Sequence, residues 1–372
     1  MRRFFRLSLR QIVVGGSAAA ALVLVAGALF VLSGLYNVSA SREHLDVTTW
    51  LLDLVRRQSI RTYSLDVGPP PPESPGAARL GAAHYELGCA ACHGAPGRPP
   101  SALQAAMLPS PPPLDDVARQ WSRRQLYWIV RNGQKYTGMP AWIAPGRADE
   151  VWPVVTFLSR MPDLDAAAYR DLAGIADGRP AFGLELSTSL GTPHERLDVC
   201  ARCHGAPGAT PPIGIVPQLS GQSLAYLERA LHDYADGRRP SGYMQLIAAM
   251  LDGEERRALA AAYAEAAAPL TSAPTAPAEL LRRGEAIARQ GLPAKGVPAC
   301  LACHVEARNP AFPQVLGLAA PYIEQQLRLF REGKRNATTY GPIMQAVASR
   351  LDDADMAAVA AYLGSQPPRP AP

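Results

Sequence analysis

The chain has 372 residues, 48% of them hydrophobic and 19% charged, with a formal net charge of +5. Six cysteines are too few for a disulfide scaffold, and four of the positive charges are Arg2, Arg3, Arg6 and Arg10 at one end, so the remainder carries only about +1. The basic balance is therefore no argument for a nucleic-acid partner.

In chain order, residues 1–10 read MRRFFRLSLR, and Ile12 to Leu35 follow without a charge. As a helix rising 1.5 Å per residue, this run reaches about 36 Å, enough to cross a hydrocarbon core of about 30 Å. The arginines keep that end cytoplasmic. The expectation is a single-pass anchor in the bacterial inner membrane over residues 1–40, with everything after it in the periplasm. Val38 to Ala40 resembles a small-residue cleavage site, but the apolar run is longer than that of a signal peptide, which favours an uncleaved anchor. Residues 41–77 hold an amphipathic stretch, with Leu45, Trp50, Leu51 and Leu54 among charges, and the linker VGPPPPESPG. A stalk helix resting on the chain's own domains is expected there, with the membrane surface or a partner protein as the alternatives; His44 is given no functional role.

The cysteines then fall as three pairs: Cys89, Cys92 with His93; Cys200, Cys203 with His204; and Cys300, Cys303 with His304. Each is a Cys-x-x-Cys-His run, the pattern of c-type haem attachment. Two thiols one helical turn apart reach the two vinyl groups of a porphyrin, and the adjacent imidazole turns to the iron. Zinc would need two such pairs close together, whereas these lie about a hundred residues apart. A thioredoxin-like pair would sit in a βαβ pattern, and the surroundings are helical in period. A disulfide within a pair requires that haem never attach. Three covalent haem c groups are thus expected, and their propionates would carry the exported part into net negative charge.

Proline and glycine divide that part into three units. The linker at 67–76 precedes the first, 268–279 separates the second from the third, and a vaguer connection near 163–185 lies between the first and second. Helical periodicity marks LAYLERALHDYADG, EERRALAAAYAEAA, YIEQQLRLFREG and DADMAAVAAYLG. Cores of such units are small, so a covalently held haem would supply much of each apolar interior. The second and third units repeat: Pro217 to Arg239 aligns with Pro313 to Arg335, and His204 to Met244 and His304 to Met344 both span 40 residues. Shared spacing marks Met244 and Met344 as the second axial ligands; Met250 aligns with Arg350 and drops out. In the first unit Met139, within NGQKYTGMPAW, is the candidate, rather than Met107 or Met161. A thioether opposite histidine favours ferrous iron and raises the potential. His84, His194 and His232 have no partner pattern and are read as packing or surface residues.

These motifs with their downstream methionines resemble class I cytochromes c. The second and third units, with PQLSGQ, YLERAL, DGRR and the shared Met-Gln-x-x-Ala-x-x-Leu-Asp, are similar to tandem dihaem cytochromes of the c-four type; the first, with HYELGCAACHGAPG and PPPL, is similar to monohaem domains of membrane-anchored respiratory cytochromes. CHVEARNP in the third unit departs from the CHGAPG of the others. The resemblance implies a mainly α fold, an N-terminal transmembrane helix followed by three cytochrome c domains at 78–165, 185–267 and 278–367. It implies a non-enzymatic electron relay from quinol oxidation at a bc complex to a terminal oxidase. The alternatives are the cytochrome subunit of a membrane-bound alcohol or sugar dehydrogenase, and a dihaem peroxidase, which would need a haem lacking its sixth ligand.

Overall fold

The computed structural model describes residues 8–74, 76–175, 193–269, 276–306 and 309–369. Arg2, Arg3 and Arg6, the expected start of the second unit at 185, the side chain of His194 and the middle of the linker at 268–279 lie outside the described residues. Among the described residues there is no β-strand, only isolated bridges such as Ala95 with Arg98 and Leu292 with Val297.

The Leu9–Leu32 helix begins at a capping box of Ser8 and Gln11, and none of its residues is buried. Its 24 residues are long and apolar enough to cross a membrane, a property that anchors and signal sequences share. The amphipathic stretch forms the Asp46–Tyr63 helix. Leu45, Trp50, Leu51 and Leu54 are exposed, while Ile60 is buried. Tyr63 stacks on Trp128 with ring centroids 6.1 Å apart, and the Arg56 guanidinium lies 5.7 Å from the Trp121 ring. The second half of this helix therefore rests on the first unit.

The described residues of 55–106 and 110–369 make one compact body, and separate buried clusters lie in its first, second and third sequence units. The first core is built by the Ala77–Gly88 and Val151–Arg160 helices, with Tyr85, Val151, Val155 and Phe157 fully buried. It runs past its expected end at 165. Asp165 caps a further Ala166–Ala173 helix, and Tyr169 and Ala173 close the same core.

In the third unit the Ala278–Gln290 and Asp353–Ser365 helices cross in the same way as the first unit's pair. Both crossings need a glycine. A Cβ on Gly81 would lie 2.1 Å from the Pro153 carbonyl oxygen, and one on Gly284 2.1 Å from that of Ala358. In the second unit the Leu224–Ala235 and Gly253–Ala264 helices bury Leu227, Ala260 and Tyr263. The repeated Leu-Asp has a local cause. Leu251 and Leu351 are buried, while Asp252 and Asp352 cap the last helix of their units by accepting the amides of Glu255 and Asp355.

Overpacking a close crossing costs about 1–3 kcal/mol. Gly284→Ala is expected to destabilise the haem-loaded chain by that amount in a denaturant titration, and an unchanged midpoint would contradict the crossing.

Candidate functional site

The first motif lies where the Ala77–Gly88 helix runs on into the Ala90–His93 turn, and the second ends the Pro193–His204 helix. The third differs: Ala302–Glu306 winds as a single π-turn, where CHVEARNP replaces CHGAPG. All six cysteines are free thiols, and Cys303 alone among them is exposed. Cys89 packs on the first core, Cys200 on Leu227 and Tyr263, Cys203 on Leu80, Ile213 and Val216, and Cys300 on the third core. Burial pushes Cys89 and Cys200 up to about 12 and Cys203 and Cys300 up to about 11. At these four positions burial disfavours the thiolate that a redox pair would use. The three pairs stay apart, and among the described residues no three His, Cys, Asp or Glu side chains converge on one point as a bare metal ion would require.

Each motif histidine makes the same bond. His93 Nδ1 meets the Pro112 carbonyl oxygen at 2.8 Å, His204 Nδ1 that of Pro217 at 2.8 Å, and His304 Nδ1 that of Pro313 at 3.0 Å. A carbonyl only accepts, so Nδ1 carries the proton and Nε2 keeps its lone pair for a metal. Burial lowers all three imidazoles, against the opposing pull of the proline carbonyl, and so favours the neutral form. Pro217 and Pro313 open the aligned repeats and Pro112 lies in PPPL, but their carbonyl role carries no side-chain signal.

The candidate methionines are half-buried. Met139 lies in a loop braced by its amide bonding Thr137 Oγ1 at 3.1 Å and its carbonyl accepting the Gln134 amide at 3.2 Å. Met244 opens the Met244–Ala249 helix, and Met344 lies within Gly341–Ala348, packed against Val297 and Phe330. Of the other histidines, His84 is buried between Trp142 and Tyr243, and His232 Nδ1 pairs with the Arg256 guanidinium at 2.9 Å, both as packing residues.

Two features escaped the sequence reading. Tyr85 donates to the Gly94 carbonyl at 2.7 Å and Tyr263 to the Gly205 carbonyl at 2.7 Å, each fastening the residue after a motif histidine. The two tyrosines come from opposite ends of their units, so alignment does not pair them. The other is a seam between the second and third units. Gln222 Nε2 donates to the Gln314 carbonyl at 2.7 Å and Gln222 Oε1 accepts the Gln314 amide at 2.9 Å. Beside it Arg239 donates to Tyr322 Oη at 2.9 Å, and Arg335 to Gln326 Oε1 at 2.7 Å, leaving Arg335 Nε buried without a partner. Burial, with Arg239 next to it, pushes Arg335 below its ordinary value. Burial alone would raise the Tyr226 hydroxyl, yet Arg239 and Arg335 hold it down at about 8. Among the described residues the seam is short of negative charge, and carboxylates such as haem propionates fit it.

Comparison with known proteins agrees. Residues 76–158 match the family described as cytochrome C oxidase, cbb3-type, subunit III, and residues 282–367 match cytochrome c. Cytochrome c4 of Pseudomonas aeruginosa is 36% identical over 169 residues, 44% of this chain and 82% of that protein. The chain belongs to the cytochrome c family. A second cytochrome c4, from Thiocapsa roseopersicina, is 37% identical over 192 residues, 50% of this cytochrome and 97% of that one. The thiosulfate dehydrogenase electron acceptor of Thiomonas intermedia is 35% identical over 174 residues, 46% of this chain and 80% of that protein. Cytochrome c domains hold haem c covalently, and the neutral imidazoles, the cysteine pairs packed against each core and the buried arginines suit that group.

Leaving a buried carbonyl unpaired costs about 1–3 kcal/mol. Tyr263→Phe is expected to lower the stability of the haem-loaded protein by this amount, measured by denaturant titration, with no loss of haem per chain.

Proposed function

We propose that this cytochrome is a membrane-anchored trihaem relay that passes single electrons along the periplasmic face of the bacterial inner membrane. The observation that carries the reading is the threefold repetition of one arrangement, a cysteine pair followed by an imidazole whose Nδ1–H is tied to a proline carbonyl. In this reading Cys89 and Cys92, Cys200 and Cys203, and Cys300 and Cys303 fix three haems. His93 and Met139, His204 and Met244, and His304 and Met344 hold their irons, in domains centred on 78–165, 185–267 and 278–367. Haem iron supplies a reversible one-electron change. The protein's part is to keep both axial positions filled, so that electrons transfer without substrate binding or chemical turnover.

Retention as an anchor is supported by the length of the apolar run, Ile12 to Leu35, which exceeds that of a signal peptide. A direction of flow from a bc complex toward a terminal oxidase is supported by the match of the first unit to a family named for an oxidase subunit. A second reading, the electron-accepting partner of a dehydrogenase, is favoured by relatives named as thiosulfate dehydrogenase electron acceptors.

Assay of haem in the purified native protein is expected to give three groups per chain, and two in a Cys300→Ala/Cys303→Ala variant; a native count of two would remove the third site. Extraction of native membranes in mild detergent then separates the two physiological readings. Co-migration with a bc complex or oxidase supports the first, and a stoichiometric dehydrogenase partner supports the second.

A further inference from the structure

The junction between the first and second units is built differently from the seam between the second and third. It centres on Glu150, a carboxylate at the end of the Pro145–Glu150 turn that is only 5% exposed. Glu150 Oε1 accepts the Ser241 hydroxyl at 2.8 Å, and Oε2 accepts the Gly242 amide at 2.5 Å. The Tyr243 hydroxyl donates to the Glu150 backbone carbonyl. Arg147 pairs with Glu150 at 2.8 Å and also donates to the Pro240 carbonyl at 3.2 Å. Four consecutive residues of the second unit, 240–243, are thus held by two residues of the first.

Aromatic packing closes the same contact. The Trp142 indole lies so close to Gly242 that a Cβ there would meet it at 2.2 Å. Tyr243 stands edge-on to Trp142 with centroids 5.8 Å apart, and His84 fills the angle between them at 5.0 Å from Trp142 and 4.7 Å from Tyr243. The clamped segment leads directly to Met244, whose amide donates to Ser241 Oγ at 3.2 Å. One hydroxyl therefore links the Glu150 carboxylate to the start of the Met244–Ala249 helix.

We propose that Glu150 is a positioning residue for the haem of the second unit, so that the first unit, through the Ser241–Tyr243 segment, sets how firmly Met244 holds that iron. The inference rests on the reading of Met244 as an axial ligand. A side chain kept for packing alone would be apolar here. Burial raises the Glu150 carboxyl to about 7 even against Arg147, so a charge at this junction costs folding free energy that a hydrocarbon would not. What the carboxylate supplies is a fixed acceptor for two donors of one loop, as groups behind a metal ligand do. A looser loop weakens the thioether bond, first to ferric iron, which lowers the potential of that haem.

The test uses the full-length, haem-loaded protein in detergent, with spectroelectrochemical titration and the sulfur-to-ferric-iron charge-transfer band as readouts. Met244→Ala identifies the second haem by removing about a third of the band if three irons carry thioethers. Glu150→Ala is expected to lower the potential and weaken the band of that same haem, leaving the others unchanged. Ser241→Ala is expected to act in the same direction, and the double variant to show less than the sum. If Glu150→Ala fails to load three haems, Glu150→Gln, which keeps one acceptor, is expected to give an intermediate shift and decides the matter. An unaltered band in Met244→Ala overturns the ligand reading; an altered band there with an unshifted second haem in the Glu150 and Ser241 variants overturns the proposal alone.

Discussion

The three motif sites share one constraint, the bond from a histidine Nδ1–H to a proline carbonyl, repeated at His93, His204 and His304. An imidazole held at one nitrogen has a fixed tautomer and a fixed plane, and its other nitrogen points in a set direction. The remaining features follow from keeping that ring still. The cysteines precede it by a helical turn, Tyr85 or Tyr263 fastens the residue after it, and the crossing of helices at Gly81 and Gly284 holds the first and third units together behind it. In the third unit Val305 and a π-turn take the place of the glycine that follows the other two histidines, yet the bond to proline remains.

The two contacts between haem units solve different electrostatic problems. Between the second and third units, Arg239 and Arg335 leave a buried surplus of positive charge among tyrosines, suited to carboxylates brought by a cofactor. Between the first and second, Glu150 is already paired with Arg147 and its acceptor capacity goes to the protein chain. One seam is left suited to a bound carboxylate, and the other is finished by the polypeptide itself. Unit two shares a face with each neighbour, which makes it the middle of the relay in the proposed reading.

Much of this was legible in the residues. The four helical stretches quoted for the second and third units are helices, and the Leu-Asp following each methionine turned out to be a buried leucine and a helix cap, which explains why both repeats keep the same spacing. The cysteine-histidine runs needed no structure to be noticed. Other features were hidden for physical reasons. Residues 163–185 read as a connection, whereas Asp165 caps a helix that carries Tyr169 into the core. The proline carbonyls are backbone atoms, which any residue supplies. The Tyr85 and Tyr263 bonds come from opposite helices, and Glu150 sits in a polar run whose partners lie about ninety residues away.

In the proposed reading every iron of this cytochrome would be held on both sides by protein, as a carrier requires, with no position open to substrate. Exposure of the reduced native protein to carbon monoxide tests this most directly. The account predicts unchanged absorption at all three haems; a carbonyl adduct at any of them, at neutral pH and before denaturation, would contradict it.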